Sequence, residues 1–201
     1  GNKRIFKTSN SLNFTFVTME VIKSEISGLL EIVPNVFKDD RGYFYESFNK
    51  DIYEGIGVNL EFVQDNQSLS HTGVLRGLHF QNPPFAQGKL VRVVTGAVLD
   101  VVLDIRKGSP TYGQHHSVIL TEENKKLFWV PPGFAHGFKV LRDDTIFSYK
   151  CTDVYNKASE GSVRWNDSEL AIDWGDLSNP IMSEKDINAP LFSELKTQFS
   201  L

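Results

Sequence analysis

From Met19 onward, apolar and polar residues alternate in short runs with a period of two, the spacing that sends successive side chains to opposite faces of a strand. VIKSEISGLLEIVPNVF, YFYESF, LEFVQDNQS, VLRGLHF, KLVRVVTGAVLDVVLDI, HHSVIL, KLFWVPPGFAHGFKVL and TIFSYKCTDV are rich in Val, Ile, Phe and Tyr and are separated by Gly, Pro, Asn or Asp. Eight or more such strands predict an all-β fold, a jelly-roll barrel or sandwich with few short helices. A helix is expected near Lys50 to Gly55, and a second in the tail after Ser183. No repeat, low-complexity tract or linker divides residues 19–201, which read as one domain with a less regular C-terminal region. Residues 1–18 read as a terminal extension, vector-derived or poorly ordered; the alternation of Phe14 and Phe16 offers an extra strand as the other reading.

One run resists the pattern. In Arg76-Gly77-Leu78-His79-Phe80, strict alternation puts Arg76 with Leu78 and Phe80 on one face and sends His79 to the other. Either Gly77 marks a bulge that re-aims a side chain, or one of the two polar groups faces solvent. Taken alone, RGLHF reads as an edge strand with two solvated polar groups.

Composition narrows the function classes. With 40% hydrophobic and 23% charged residues the chain suits a soluble globular protein, and 15 Phe with 6 Tyr leave rings free to stack on a ligand. A net charge of -4 argues against a general nucleic-acid or membrane surface, so an anion site must be built from a few chosen cations. A single Cys151 forms no internal disulfide and no CxxC pair is present, which suggests a cytoplasmic protein. No segment reaches the apolar length of a membrane span.

In Val130-Pro131-Pro132-Gly133-Phe134-Ala135-His136 the spacing P-x-G-x-x-H matches the second half of the cupin signature, a turn at the mouth of a small β-barrel. Metal-binding cupins supply H-x-H and a glutamate before it, because an open site needs three or four converging ligands. Here the corresponding strand reads His79-Phe80-Gln81, so the second histidine is missing. His71, His115 and His116 sit beside polar turn sequence and read as solvated loop or strand-end residues. No metal and no cofactor are expected, and a histidine doing proton chemistry is favoured.

FKDDRGYFYESF, FVQDNQS, VLRGLHFQ, QGKLVRVVTGAVLDVVLDIRKGSPTYGQ, WVPPGFAHGF, YKCTD and EGSVRWND, in this order, resemble the dTDP-4-dehydrorhamnose 3,5-epimerase family from about Met19 to Leu191. The resemblance implies a dTDP-linked 4-keto-6-deoxyhexose whose C3 and C5 protons are acidified by the C4 ketone. It makes His79 the base, Asp186 the carboxylate that orients it, Lys89 the cation near the enolate oxygen and Tyr149 the acid on the opposite face. Taken singly, these four read as a strand histidine, a surface or helix-end charge, an exposed strand lysine and a core aromatic.

The same resemblance assigns Arg41, Arg76 and Lys185 to the diphosphate, with His136 beside the sugar or phosphate. Glu46, Gln64, Asn66 and Glu160 match hydroxyl and thymine contacts, and Phe37 and Tyr155 are candidates to stack on the base. It further implies a homodimer in which an N-terminal strand is exchanged, so that some contacts come from the second subunit. Related nucleotide-sugar cupins that epimerise C3 alone or shift the ketone between C3 and C4 stay open, as does a cupin that only binds nucleotide sugars.

Overall fold

The computed structural model describes residues 3–6, 19–176 and 179–201. One antiparallel sheet runs in the order β1 (Lys3–Phe6), β2 (Met19–Lys23), β3 (Leu30–Val33), β11 (Leu127–Val130), β8 (Lys89–Thr95), β13 (Thr145–Cys151), β6 (Gln64–Ser70). The second runs β10 (His115–Thr121), β9 (Ala97–Asp104), β12 (Phe134–Val140), β7 (Leu75–Gln81), β14 (Glu160–Ser162). A small hairpin, β4 (Phe37–Asp39) and β5 (Gly42–Phe44), turns at Asp40 and Arg41 outside both sheets. The helices are short: α1 (Lys50–Gly55) and α2 (Glu184–Ile187). The jelly-roll sandwich expected from the period-two pattern is the fold observed.

Alternation sorts the apolar residues into three layers. Val91 and Val93 of β8, Val98 and Val102 of β9, Phe134 and Phe138 of β12 and Phe147 of β13 fill the space between the sheets. Leu90 and Leu127 point the other way and are covered by Ile52 and Tyr53 of α1. Leu75, Leu78 and Phe80 of β7 face away from the sandwich centre, against Leu170, Trp174 and Phe192 of the C-terminal region. That tail is therefore a lid on the outer face of the second sheet, which explains its irregularity: it follows side chains rather than a ladder.

The RGLHF run resolves as a bulge. His136 pairs with His79 and Phe138 with Arg76, so three steps on β7 match two on β12. The extra residue brings Arg76 round to the face that His79 occupies; β7 is not an edge strand, since it lies between β12 and β14, although Arg76 itself stays exposed while His79 is half-buried. Gly77 sits at φ 125°, and a Cβ there would fall 2.5 Å from the Gly137 Cα. Only glycine allows this backbone approach.

Three expectations change. Lys3–Phe6, inside the stretch expected to be vector-derived or poorly ordered, pair along the outer edge of β2; Phe14 and Phe16 lie outside the described residues. β14, absent from the predicted strands, forms because the backbone of Glu160–Ser162 satisfies the free edge of β7. His116 is not a solvated strand end: its side chain is 29% exposed and lies 3.6 Å from Glu31, whose carboxylate also accepts from Lys126 at 2.8 Å.

Candidate active site

Two sheets aim their polar residues at one cleft. On the first, Lys89 pairs with Cys151, Tyr149 with both Val91 and Asn66, and Gln64 with Cys151. Directly opposed residues in an antiparallel ladder share a face, so Lys89, Tyr149, Asn66 and Gln64 all point inward. On the second sheet the bulge brings Arg76, His79 and His136 onto the inner face. A cavity of about 420 Å³ is lined by Arg76, His79, Lys89, His136, Tyr149, Lys185 and Asp186, with Val74, Ile181 and Met182 as an apolar wall. A second, of about 370 Å³, takes in Gln64, Asn66, Gln87, Tyr155 and Glu160 and shares His79, Lys89 and Tyr149 with the first. The three shared residues mark the junction of one continuous cleft.

Asp186 reaches His79 through the start of α2. Ser183 caps the helix by accepting from the Asp186 backbone N–H at 3.2 Å, and the Asp186 carboxylate meets His79 Nε2 at 2.5 Å while only 4% exposed. Burial alone would raise the Asp186 carboxyl. The hydrogen bond and charge of His79, with help from Ser183 and the Gly77 backbone, nonetheless hold it below its ordinary value. With Nε2 committed, Nδ1 is the His79 nitrogen left without a partner among the described residues.

Lys89 forms no hydrogen bond or ion pair among the described residues, and burial lowers its pKa, opposed by the charges of Cys151, Asp100 and Glu160. An ammonium group without a partner in a partly dry cleft is suited to an anion that exists only during a reaction. Tyr149 is shifted the other way: burial raises its pKa, so the hydroxyl carries its proton through neutral pH. An imidazole and a protonated phenol thus stand on opposing sheets, and the Lys89 ammonium group lines the same cleft.

At the rim, Lys185 is ion-paired with Glu160, which also accepts from the Tyr155 hydroxyl at 3.2 Å. Gln64 Oε1 accepts from the Tyr155 backbone N–H at 2.8 Å, tying β6 to the loop before β14. Arg76 donates to Ser70 Oγ at 3.2 Å from an exposed position. Of the residues expected at the site, Phe37 and Arg41 are not in the cleft: they line a separate groove on the hairpin, where Arg41 is ion-paired with Asp39. Glu46 follows the hairpin, outside both parts of the cleft, with a buried Oε1 that has no hydrogen-bond partner among the described residues.

Among the described residues no three His, Cys, Asp or Glu side chains converge as a metal set, and both cleft histidines have one ring nitrogen bonded to a carboxylate. Asp100 was missed in the sequence. It is fully buried and meets His136 Nε2 at 2.9 Å, and the signal was present as a carboxylate at the inward position between Val98 and Val102.

Residues 23–194 match the family model described as dTDP-4-dehydrorhamnose 3,5-epimerase. The chain belongs to that family. It is thereby an epimerase, an isomerase acting in dTDP-sugar metabolism. It is 52% identical to a dTDP-4-dehydrorhamnose 3,5-epimerase of Shigella flexneri over 175 residues, covering 87% of this chain and 96% of the relative. A solved dTDP-6-deoxy-D-glucose-3,5-epimerase of Legionella pneumophila, in complex with dTDP-4-keto-L-rhamnose, superposes with a TM-score of 0.86 at 50% identity, covering 89% and 95% of the two chains. A 3'-monoepimerase of Streptomyces bikiniensis, in complex with dTDP-quinovose, gives 0.80 at 35% identity, covering 85% and 86%.

Proposed function

We propose that the cleft epimerises a dTDP-linked 4-keto-6-deoxyhexose at both C5 and C3, giving dTDP-4-dehydro-L-rhamnose. His79 takes the proton from the carbon beside the ketone through Nδ1, held in place by Asp186 at Nε2. The electron pair moves onto the C4 oxygen, and Lys89 neutralises the enolate that results. Tyr149 returns a proton to the opposite face, and the configuration inverts. Gln64, Asn66, Tyr155 and Glu160 then take the thymidine end, while Arg76 and Lys185 face the diphosphate, with His136 beside the sugar. Side chains supply every proton step, so the reaction runs without a metal or cofactor.

The observation that carries this reading is the placement of His79 and Tyr149 on opposing sheets of one cleft that Lys89 also lines. A nucleotide-sugar binder has no need of an acid and a base on two faces. Double epimerisation is favoured over C3 alone by the higher identity to the 3,5-epimerases, 52% and 50%, than to the monoepimerase at 35%.

The working unit is a homodimer, and Phe37, Arg41 and Glu46 serve the cleft of the neighbouring subunit. That placement accounts for a hairpin that carries expected ligands yet stands outside its own cleft. The enzyme works in the cytoplasm, where its buried Cys151 stays a thiol.

The deciding experiment is His79→Ala, assayed by solvent-deuterium incorporation at C3 and C5. Loss of a general base predicts turnover lower by about 10²–10⁴-fold with dTDP affinity retained. Near-normal epimerisation by the variant refutes the assignment.

A further inference from the structure

Asp100 and His136 form a second carboxylate–imidazole pair, both on the sheet that carries His79, and the proton chemistry described above makes no use of Asp100. Both Asp100 oxygens face one atom, His136 Nε2, at 2.9 and 3.0 Å. The carboxylate is fully buried and has no other hydrogen-bond partner among the described residues. An ionised carboxylate is an acceptor only, so the proton between the two groups belongs to Nε2 and the tautomer of His136 is fixed. Nδ1 is then the atom that His136 offers to the cleft, beside His79, its direct neighbour across the ladder.

We propose that Asp100 is a positioning residue for the epimerisation: it locks the His136 proton on Nε2 and so sets the hydrogen bond that Nδ1 makes with the sugar in the cleft. Three further observations fit the role. Phe147 stacks on the His136 ring at 6.3 Å, which limits its rotation. The Asp100 charge acts on Lys89, opposing the loss of its proton caused by burial. A structural carboxylate would need several donors to offset its burial, as Asp104 has in Arg106, Ser109 and Thr111, whereas Asp100 has one imidazole.

The inference rests on the epimerase reading, and its test separates the two. Asp100→Asn preserves volume but can donate to a bare Nε2, which allows the wrong tautomer. The expected result is kcat lower by about 10²–10⁴-fold with KM for the keto-sugar within about threefold, in a variant that keeps its melting temperature.

The alkaline limb of the rate should also move. The titratable and charged groups around the pair are Lys89 on β8, Tyr149 and Cys151 on β13, His79 and Arg76 on β7, Glu160 on β14, and Lys185 and Asp186 on α2. Removing the Asp100 charge leaves burial less opposed at Lys89, so activity should fall at a lower pH than in the parent. His136→Gln combined with Asp100→Asn should cost little more than either alone, because one residue acts through the other.

Nitrogen-15 NMR of the ring in the unaltered protein tests the tautomer without any variant having to fold: a protonated Nε2 is expected. A bare Nε2, strictly additive variants, or an Asp100→Asn enzyme with turnover within about twofold and an unmoved pH profile overturns the proposal. Failure of the unaltered protein to turn over the keto-sugar would instead overturn the epimerase reading.

Discussion

At the scale of single residues, each side chain of the cleft is defined by what it is denied. Lys89 has no counterion among the described residues, His79 has one nitrogen taken by Asp186, and Tyr149 is kept from ionising by burial. Tyr149→Phe separates the two halves of the reaction. His79 still removes the proton and Lys89 still holds the enolate, but no acid stands on the far face. Label from deuterated solvent should enter C5 or C3 with retained configuration, while net inversion falls by about 10²–10⁴-fold, a barrier cost of about 3–5 kcal/mol. NMR of exchange beside product formation checks this, and equal loss of both signals in a stable variant removes Tyr149 from the acid role. Lys89 and Tyr149 were legible in the sequence only through motif resemblance, since alternation gives a side chain's face and not what stands across the sheet. Asp100 shows the converse: alternation alone was enough to mark it.

At the scale of elements, strand periods and turn residues carried most of the fold, and α1 fell where the pattern placed it. What alternation could not give was the register between strands. The bulge opposite His136 and Phe138 decides that Arg76 and His79 share a face, and it depends on Gly77 meeting Gly137 backbone to backbone. Gly77→Ala should therefore lower stability by at least about 2 kcal/mol, from a strained positive φ and a forced contact, and should reduce activity further by displacing His79. Denaturant unfolding measures the first and kcat the second; a variant with parental stability and rate contradicts the bulge.

A second element-scale contact joins β3, inside the first sheet, to β10 at the edge of the second. Glu31 is held at about 2, below its ordinary 4.5, chiefly by the side chain of His116, against the opposing effect of burial and with the aid of Lys126. A lowered carboxyl contributes stability above its unfolded value and loses it as the pH falls toward the folded one. Unfolding midpoints should drop between about pH 4.5 and pH 2, and Glu31→Gln should flatten that decline.

At the scale of the whole molecule, the cleft and the hairpin pose a question of assembly. Arg41 is 90% exposed and, among the described residues, tied only to Asp39, while the cleft with which it is expected to work lies elsewhere on the same chain. Phe37, Tyr43 and Phe44 expose apolar rings beside it, as a segment awaiting a second surface would. If the hairpin serves the neighbouring subunit, two lesions on different chains must complement one another. Arg41→Ala and His79→Ala homodimers each carry the same defect in both clefts and should be strongly impaired. In a mixed dimer, the cleft with an intact His79 receives the hairpin with an intact Arg41, and the other cleft collects both lesions. Random co-assembly makes half of the dimers mixed and restores one site in each, so about a quarter of parental turnover should return. If each hairpin acts on its own cleft, every site keeps a lesion and mixing restores nothing. Activity measured after co-expression at equal levels, with each homodimer as the control, therefore reads the architecture of the site directly.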